Sequence, residues 1–145
     1  KMSDKILLGA GTVLDSETAK NAIEAGSKFI VAPTFSKSVY FLCNRYKINY
    51  IPGIMTPNEA LLAIENGCRV AKLFPAKYLG PSYIKALRAP LPQLEIIPTG
   101  GINRENAKEW INAGAIAIGI GSSLIKGTKE QIKRNAEEFM KIIGE

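Results

Sequence analysis

Six short apolar runs recur along this chain, ILLGAGTV, KFIVAP, INYIPGI, RVAKLFPA, EIIPTGGI and AIAIGIGS, each followed by a turn residue and then an amphipathic segment. Segments such as DSETAKNAIEAG, TPNEALLAIENG and NRENAKEWINAG supply the helical period between them. The unit returns roughly every 20 to 26 residues, so the chain reads as β-α-β-α throughout. Runs that are apolar on both faces cannot leave one face in water. They require a parallel sheet covered on both sides or closed into a barrel.

The helix boundaries are written in the same repeat. Gly26, Gly67 and Gly114 close three helices at the C′ position, where a left-handed backbone costs glycine little. Asp15 or Ser16 can cap the first helix, Thr56 stands before Pro57 and Glu59, and Asn103 precedes Glu105 and Asn106.

An open dinucleotide-binding sheet would carry G-x-G-x-x-G after its first strand, and GAGTVLD lacks the third glycine. A (β/α) TIM-type barrel fits better. Each unit places its distinctive residues at the carboxyl end of a strand: Thr12, Pro33, Pro52 with Gly53, Lys72, Thr99 with Gly100 and Gly101, and Gly121 with Ser122. Barrel active sites are assembled from that face. Residues 1–145 are thus expected to form a single α/β barrel-type domain.

Composition narrows the chemistry. With 145 residues of which 46% are apolar, the chain can bury a core, and no apolar run approaches the roughly 20 residues that span a bilayer. The start, KMSDKILLGAG, has no signal-peptide architecture, so a cytoplasmic location is expected, although a lysine before Met2 hints at a processed or incompletely represented chain. The formal charge of +6 is spread over helical stretches such as GTKEQIKRNAEEFMKIIGE, interleaved with glutamates. That pattern suits a solvated helix face better than a nucleic-acid stripe, and it suits a small anionic substrate. Histidine is absent, which removes His-based triads and metal sites. Cys43 and Cys68 form no CxxC pair and read as buried thiols.

Lys72, in RVAKLFPA, interrupts a strand that otherwise reads as buried. Desolvation of an ammonium lowers its pKa and yields a neutral amine able to attack a carbonyl. A lysine that snorkels to solvent or pairs with a carboxylate is equally compatible with the strand alone. The loops IIPTGGINREN and AIGIGSSLIKG put glycines and hydroxyls after the last two strands, where barrels bind phosphate, although tight-turn chemistry would also explain each loop singly. Phe74 could wall off an amine or simply pack. Thr12 alone reads as a β-branched strand residue, Trp110 and Tyr83 as core, and Tyr78 is left undetermined.

The motifs GAGTV, IPGIMTP, KLFPA, PTGGIN and GIGSSL, in this order, resemble the 2-keto-3-deoxy-6-phosphogluconate (KDPG) aldolase family, which includes 4-hydroxy-2-oxoglutarate (KHG) aldolases. The match runs from about Ile6 to about Lys126. The resemblance implies a class I, metal-independent, cofactor-free lyase of (β/α)8 fold, usually a homotrimer, acting in Entner-Doudoroff carbohydrate metabolism. Its members cleave a phosphorylated 2-keto-3-deoxy sugar acid to pyruvate and an aldehyde. Carried over by position, Lys72 is the Schiff-base lysine and Phe74 its neighbour. Thr12 and Pro33 line the pyruvyl end, Thr99, Gly100 and Gly101 surround the substrate, and Gly121 and Ser122 belong to the phosphate end.

Family members also carry two βα units before the GAGTV strand, which supply arginines and the glutamate general acid/base. This chain matches the third to eighth units, six in all. The expectation is a partial barrel derived from a longer product. The alternative is a non-catalytic phosphate- or sugar-acid-binding or assembly module.

Overall fold

The structure is a computed structural model that describes residues 6–144; Lys1, Met2 and the rest of the opening KMSDK lie outside the described residues. The chain divides into two compact units, one ending at Lys72 and one beginning at Leu73.

In the first unit the elements run α1 (Ser16–Glu24), β1 (Phe29–Val31), α2 (Lys37–Tyr46), β2 (Asn49–Ile51), β3 (Gly53–Ile54), α3 (Pro57–Glu65) and β4 (Val70–Leu73, shared at its end with the second unit). β1 and β2 are parallel, with Ile30 opposite Tyr50, and Ala10 forms a parallel bridge to Ile30 on the other side of β1. Sequence neighbours are therefore spatial neighbours, as βα repeats require. Ile30 at the middle of β1 is fully buried, together with Val13, Ala19, Val39 and Cys43.

The ends of α1 and α3 obey the sequence. Asp15 accepts the Thr18 N–H at the start of α1. Thr56 and Glu59 form a reciprocal capping box around Pro57. Gly26 and Gly67 take φ of +101° and +80° just beyond α1 and α3. α2 ends differently, on Lys47 at φ +55°, a left-handed position where no glycine was available to signal it.

Two strands differ from expectation. INYIPGI is split into β2 and β3 at Pro52, because proline has no N–H to donate to a ladder. ILLGAGTV makes only the bridge at Ala10, since Thr12 turns to φ +60° and ends the extended run.

In the second unit a 3₁₀ turn (Ala76–Tyr78) follows β4, then α4 (Ser82–Arg88), β5 (Glu95–Pro98), α5 (Ala107–Asn112), α6 (Ser122–Ile125) and α7 (Lys129–Gly144). The Thr99 N–H bonds Leu73 O at 2.9 Å, and the Gly119 N–H bonds Pro98 O at 2.8 Å, with Thr99 and Gly119 in a parallel bridge. AIAIGIGS is thus reduced to that bridge. Ile84, Leu94, Ile96, Trp110 and Phe139 fill the core of this unit. Gly114 ends α5 at φ +104°, and its carbonyl accepts from Arg88 Nη1.

The fold is a mixed α/β arrangement with parallel pairing. Among the described residues no sheet closes on itself, so neither the barrel nor its count of six units is displayed by the ladders. No helix among them is long and apolar enough to cross a membrane.

Candidate active site

Lys72 is the third residue of β4, only 9% exposed, between Ala71 and Leu73, both fully buried. Its backbone N–H donates to Pro52 O at 2.8 Å, which fixes the strand and leaves the side chain to burial. That burial pushes its pKa below the ordinary lysine value. The neutral amine is correspondingly easier to reach.

Pro33 reaches the same stretch. A methyl group on Gly53 would stand 2.0 Å from the Pro33 carbonyl oxygen, so the loop after β1 lies on the bare Cα of the residue that follows Pro52. Glycine at 53 is required by that approach rather than by its torsion angle. The loop is also held from below. The Tyr50 hydroxyl, in a residue 8% exposed, accepts the Ser36 N–H at 2.9 Å and donates to Thr34 O at 3.0 Å. Burial raises the Tyr50 pKa to about 12, so it remains a hydroxyl donor at neutral pH.

Thr12 is exposed, and the neighbouring Val13 N–H bonds Val31 O at 3.2 Å, which sets Thr12 beside the end of β1. It is not the extended strand residue that β-branching suggested. Its φ of +60° is uncommon for any residue with a Cβ and strained for a branched one, a kind of outlier that clusters at functional positions.

In the second unit Phe74 lies against the loop PTGGIN: a Cβ on Gly100 would be 3.4 Å from its ring. Thr99 needs Gly119, where a Cβ would stand 2.2 Å from Thr99 Oγ1. The turn after β4 is tied to the same loop by Ala76 N–H to Thr99 O at 2.9 Å and Lys77 N–H to Gly100 O at 3.0 Å. Gly100 and Gly101 take φ of +95° and +81°, so both are left-handed and neither tolerates a side chain cheaply. Phe74, Thr99, Gly100 and Gly101 are therefore brought together, and Lys77, which the sequence reading missed, joins them.

Gly121 and Ser122 open α6, a helix of four residues, and both are exposed. The segment is anchored by the next residue, since Ser123 Oγ donates to Ile102 O at 2.6 Å. A cavity of about 500 Å³ nearby is lined by Asn103, Arg104, Glu105, Ser123, Lys126 and Gln131 among others, and includes none of the residues expected to touch substrate. Several of its polar groups are already engaged, Arg104 with Glu138 and Gln131 with the Thr128 N–H. It reads as a helix junction rather than as the reaction centre.

Among the described residues, no group of three Cys, Asp or Glu side chains could hold a metal ion. The two thiols are free and buried, and desolvation pushes each up to about 11. The chemistry displayed is that of a buried amine in one unit and a glycine-rich, donor-bearing loop in the other.

Comparison with known proteins adds the following. The family model for KDPG and KHG aldolases matches residues 1–142. The 2-dehydro-3-deoxy-6-phosphogalactonate aldolase of Escherichia coli K12 is 38% identical over 136 residues, covering 93% of this chain and 66% of that protein. A solved structure of native KDPGal aligns with a TM-score of 0.91 at 36% identity, over 97% of this chain and 70% of the other. The KDPG aldolase of Legionella pneumophila, solved with pyruvate captured as a covalent carbinolamine, aligns at 0.80 with 28% identity, over 97% and 68%. The chain spans just under two thirds of the length of the Escherichia coli relative.

Proposed function

The chain belongs to the KDPG and KHG aldolase family, and on that premise we propose that it carries the Schiff-base chemistry of a class I aldolase acting on a 2-keto-3-deoxy acid. The observation that carries the reading is the buried amine of Lys72 in the KLFPA motif. The covalent carbinolamine of the Legionella relative supports it.

In this reaction the Lys72 amine attacks C2 of the keto acid, and loss of water leaves a protonated imine. The C4 hydroxyl gives its proton to a base as the C3–C4 bond breaks, and the bonding pair flows into the imine to leave an enamine. The aldehyde departs. Protonation at C3 and hydrolysis then release pyruvate and restore the amine. Thr12 and Pro33 are assigned to the pyruvyl end, and Phe74, Thr99, Gly100 and Gly101 to the body of the substrate. Gly121 and Ser122 are assigned to the phosphate end.

With this reading go a six-unit part of a (β/α) TIM-type barrel, supported by sequential neighbour order within each unit, and association into a homotrimer. The substrate is KDPG or its galactonate or KHG counterpart.

Borohydride reduction in the presence of pyruvate, followed by peptide mass mapping, tests the assignment. The expected result is a pyruvyl adduct on the peptide containing Lys72. An unmodified Lys72 in the folded protein overturns it.

A further inference from the structure

We propose that Tyr50 is a positioning residue for the keto-acid end of the Lys72 site: its hydroxyl locks the loop that carries Pro33, and the locked loop sets how tightly a small 2-keto acid is held for imine formation. The nature of the ligand rests on the aldolase reading above.

The strand ends on either side of Pro52 supply the geometry. The Ala32 N–H donates to Ile51 O at 3.1 Å, and the Lys72 N–H donates to Pro52 O at 2.8 Å. Successive carbonyls of a strand point to opposite sides, so this one segment holds the end of β1 on one flank and β4 on the other. Pro33, the residue after Ala32, is therefore two strand spacings from Lys72, about 10 Å. No ladder fixes Pro33 itself, because it lies beyond β1 and has no N–H to donate. Its place depends on what holds the loop.

That hold comes from Tyr50. The Pro33 carbonyl rests on the bare Cα of Gly53, and the residues after it are tied to a single hydroxyl. Tyr50 Oη donates to Thr34 O at 3.0 Å and accepts the Ser36 N–H at 2.9 Å. Phe35, between those two, has its ring centroid 6.1 Å from that of Tyr50 and 6.1 Å from that of Tyr40. Tyr50 is fixed in turn by β2, opposite Ile30 in the parallel ladder, and is 8% exposed. Its hydroxyl, raised to about 12 by burial, keeps its proton at neutral pH and acts as a tether rather than a proton carrier. A wall already in place removes the need to order the loop on binding. The effect therefore falls on affinity, not on the chemistry at the amine.

The test is borohydride trapping over a range of pyruvate concentration and pH, with the adduct mapped to Lys72, in the wild-type protein, Tyr50→Phe and Cys43→Ala. Phenylalanine keeps the ring beside Phe35 and removes only the hydroxyl. Cys43→Ala truncates a fully buried residue of α2 in the same unit and leaves the hydroxyl in place. The expected result in Tyr50→Phe is about a three- to tenfold higher half-saturating pyruvate concentration, with the wild-type trapping rate at saturation and the wild-type pH midpoint. In Cys43→Ala the half-saturating concentration stays at the wild-type value, because an unfolded fraction reduces the amount of adduct and not the concentration that half-saturates it. Equal half-saturation in wild type and Tyr50→Phe, an equal rise in Cys43→Ala, or a shifted pH midpoint in Tyr50→Phe overturns the proposal. No adduct on Lys72 in the wild type overturns the aldolase reading instead.

Discussion

The carbonyl oxygen of Pro33 lies where a side chain on Gly53 would begin, 2.0 Å from the position of the missing Cβ. The contact is backbone on backbone, with no flexible chain end to give way. Substitution Gly53→Ala therefore forces the loop after β1 to move, and overpacking of this kind costs about 1–3 kcal/mol. Urea unfolding should show that loss; stability equal to wild type would refute the close approach.

Tyr50 holds the same loop by its hydroxyl, through Ser36 and Thr34. Tyr50→Phe keeps the ring and orphans the Thr34 carbonyl and Ser36 N–H, a loss of about 1–2 kcal/mol. Faster hydrogen exchange at Ser36 is the specific readout, because a purely packing effect would leave that amide unchanged.

Burial depresses the pKa of Lys72, and the sign of its effect on stability follows. Between the folded and the unfolded pKa the unfolded chain binds more protons, so stability rises with pH through that window, and below the folded pKa the full cost of the buried ammonium is carried without further change. Lys72→Met removes the cost of a buried ammonium and should raise stability at pH 7 by about 1 kcal/mol, while abolishing the pyruvyl adduct. In the wild type, adduct formation should increase with pH with a midpoint below 10.5. A midpoint at or above that value would show an amine exposed to water.

Glu59 titrates with the opposite sign. Partial burial works to raise its pKa, but the N–H groups of Met55 and Thr56 and the Thr56 hydroxyl outweigh that and hold it below the ordinary carboxylate value. Its stabilising contribution is present above the unfolded pKa and is lost as pH falls through the folded one. Glu59→Gln should flatten the acid limb of a stability-against-pH curve, and Thr56→Ala should cost about 1 kcal/mol at neutral pH.

The thiols of Cys43 and Cys68 are 0% and 8% exposed and raised to about 11 by desolvation. A thiol reagent at pH 8 should label them only as fast as the chain opens, with full reactivity in denaturant. Rapid labelling of the folded protein would contradict their burial.

Much of this was legible in the sequence because it is local. The 20-odd-residue repeat, the capping box at Thr56 and Glu59 and the C′ glycines at 26, 67 and 114 are each set by hydrogen-bond geometry within a few residues. The apolar residues on either side of Lys72 marked its strand as buried but left the side chain free to snorkel, and the structure decided for burial. Other features carried no such signal. Lys47 ends α2 in a left-handed turn without glycine, and Thr12 leaves the strand conformation its branched side chain favours.

By itself the sequence determined the alternation of strand and helix, the caps and C′ glycines that bound α1 and α3, and which lysine lies in a buried strand. The tertiary structure decided what those pieces bring together: Pro33 onto Gly53, Phe74 onto Gly100, Thr99 onto Gly119 and Lys77 onto Gly101. The reason is steric. Periodicity records which face of an element avoids water, but a close approach between backbones depends on two segments far apart in the chain. At such a contact a glycine is identical in sequence to one that merely turns, and only the neighbouring atoms show which it is.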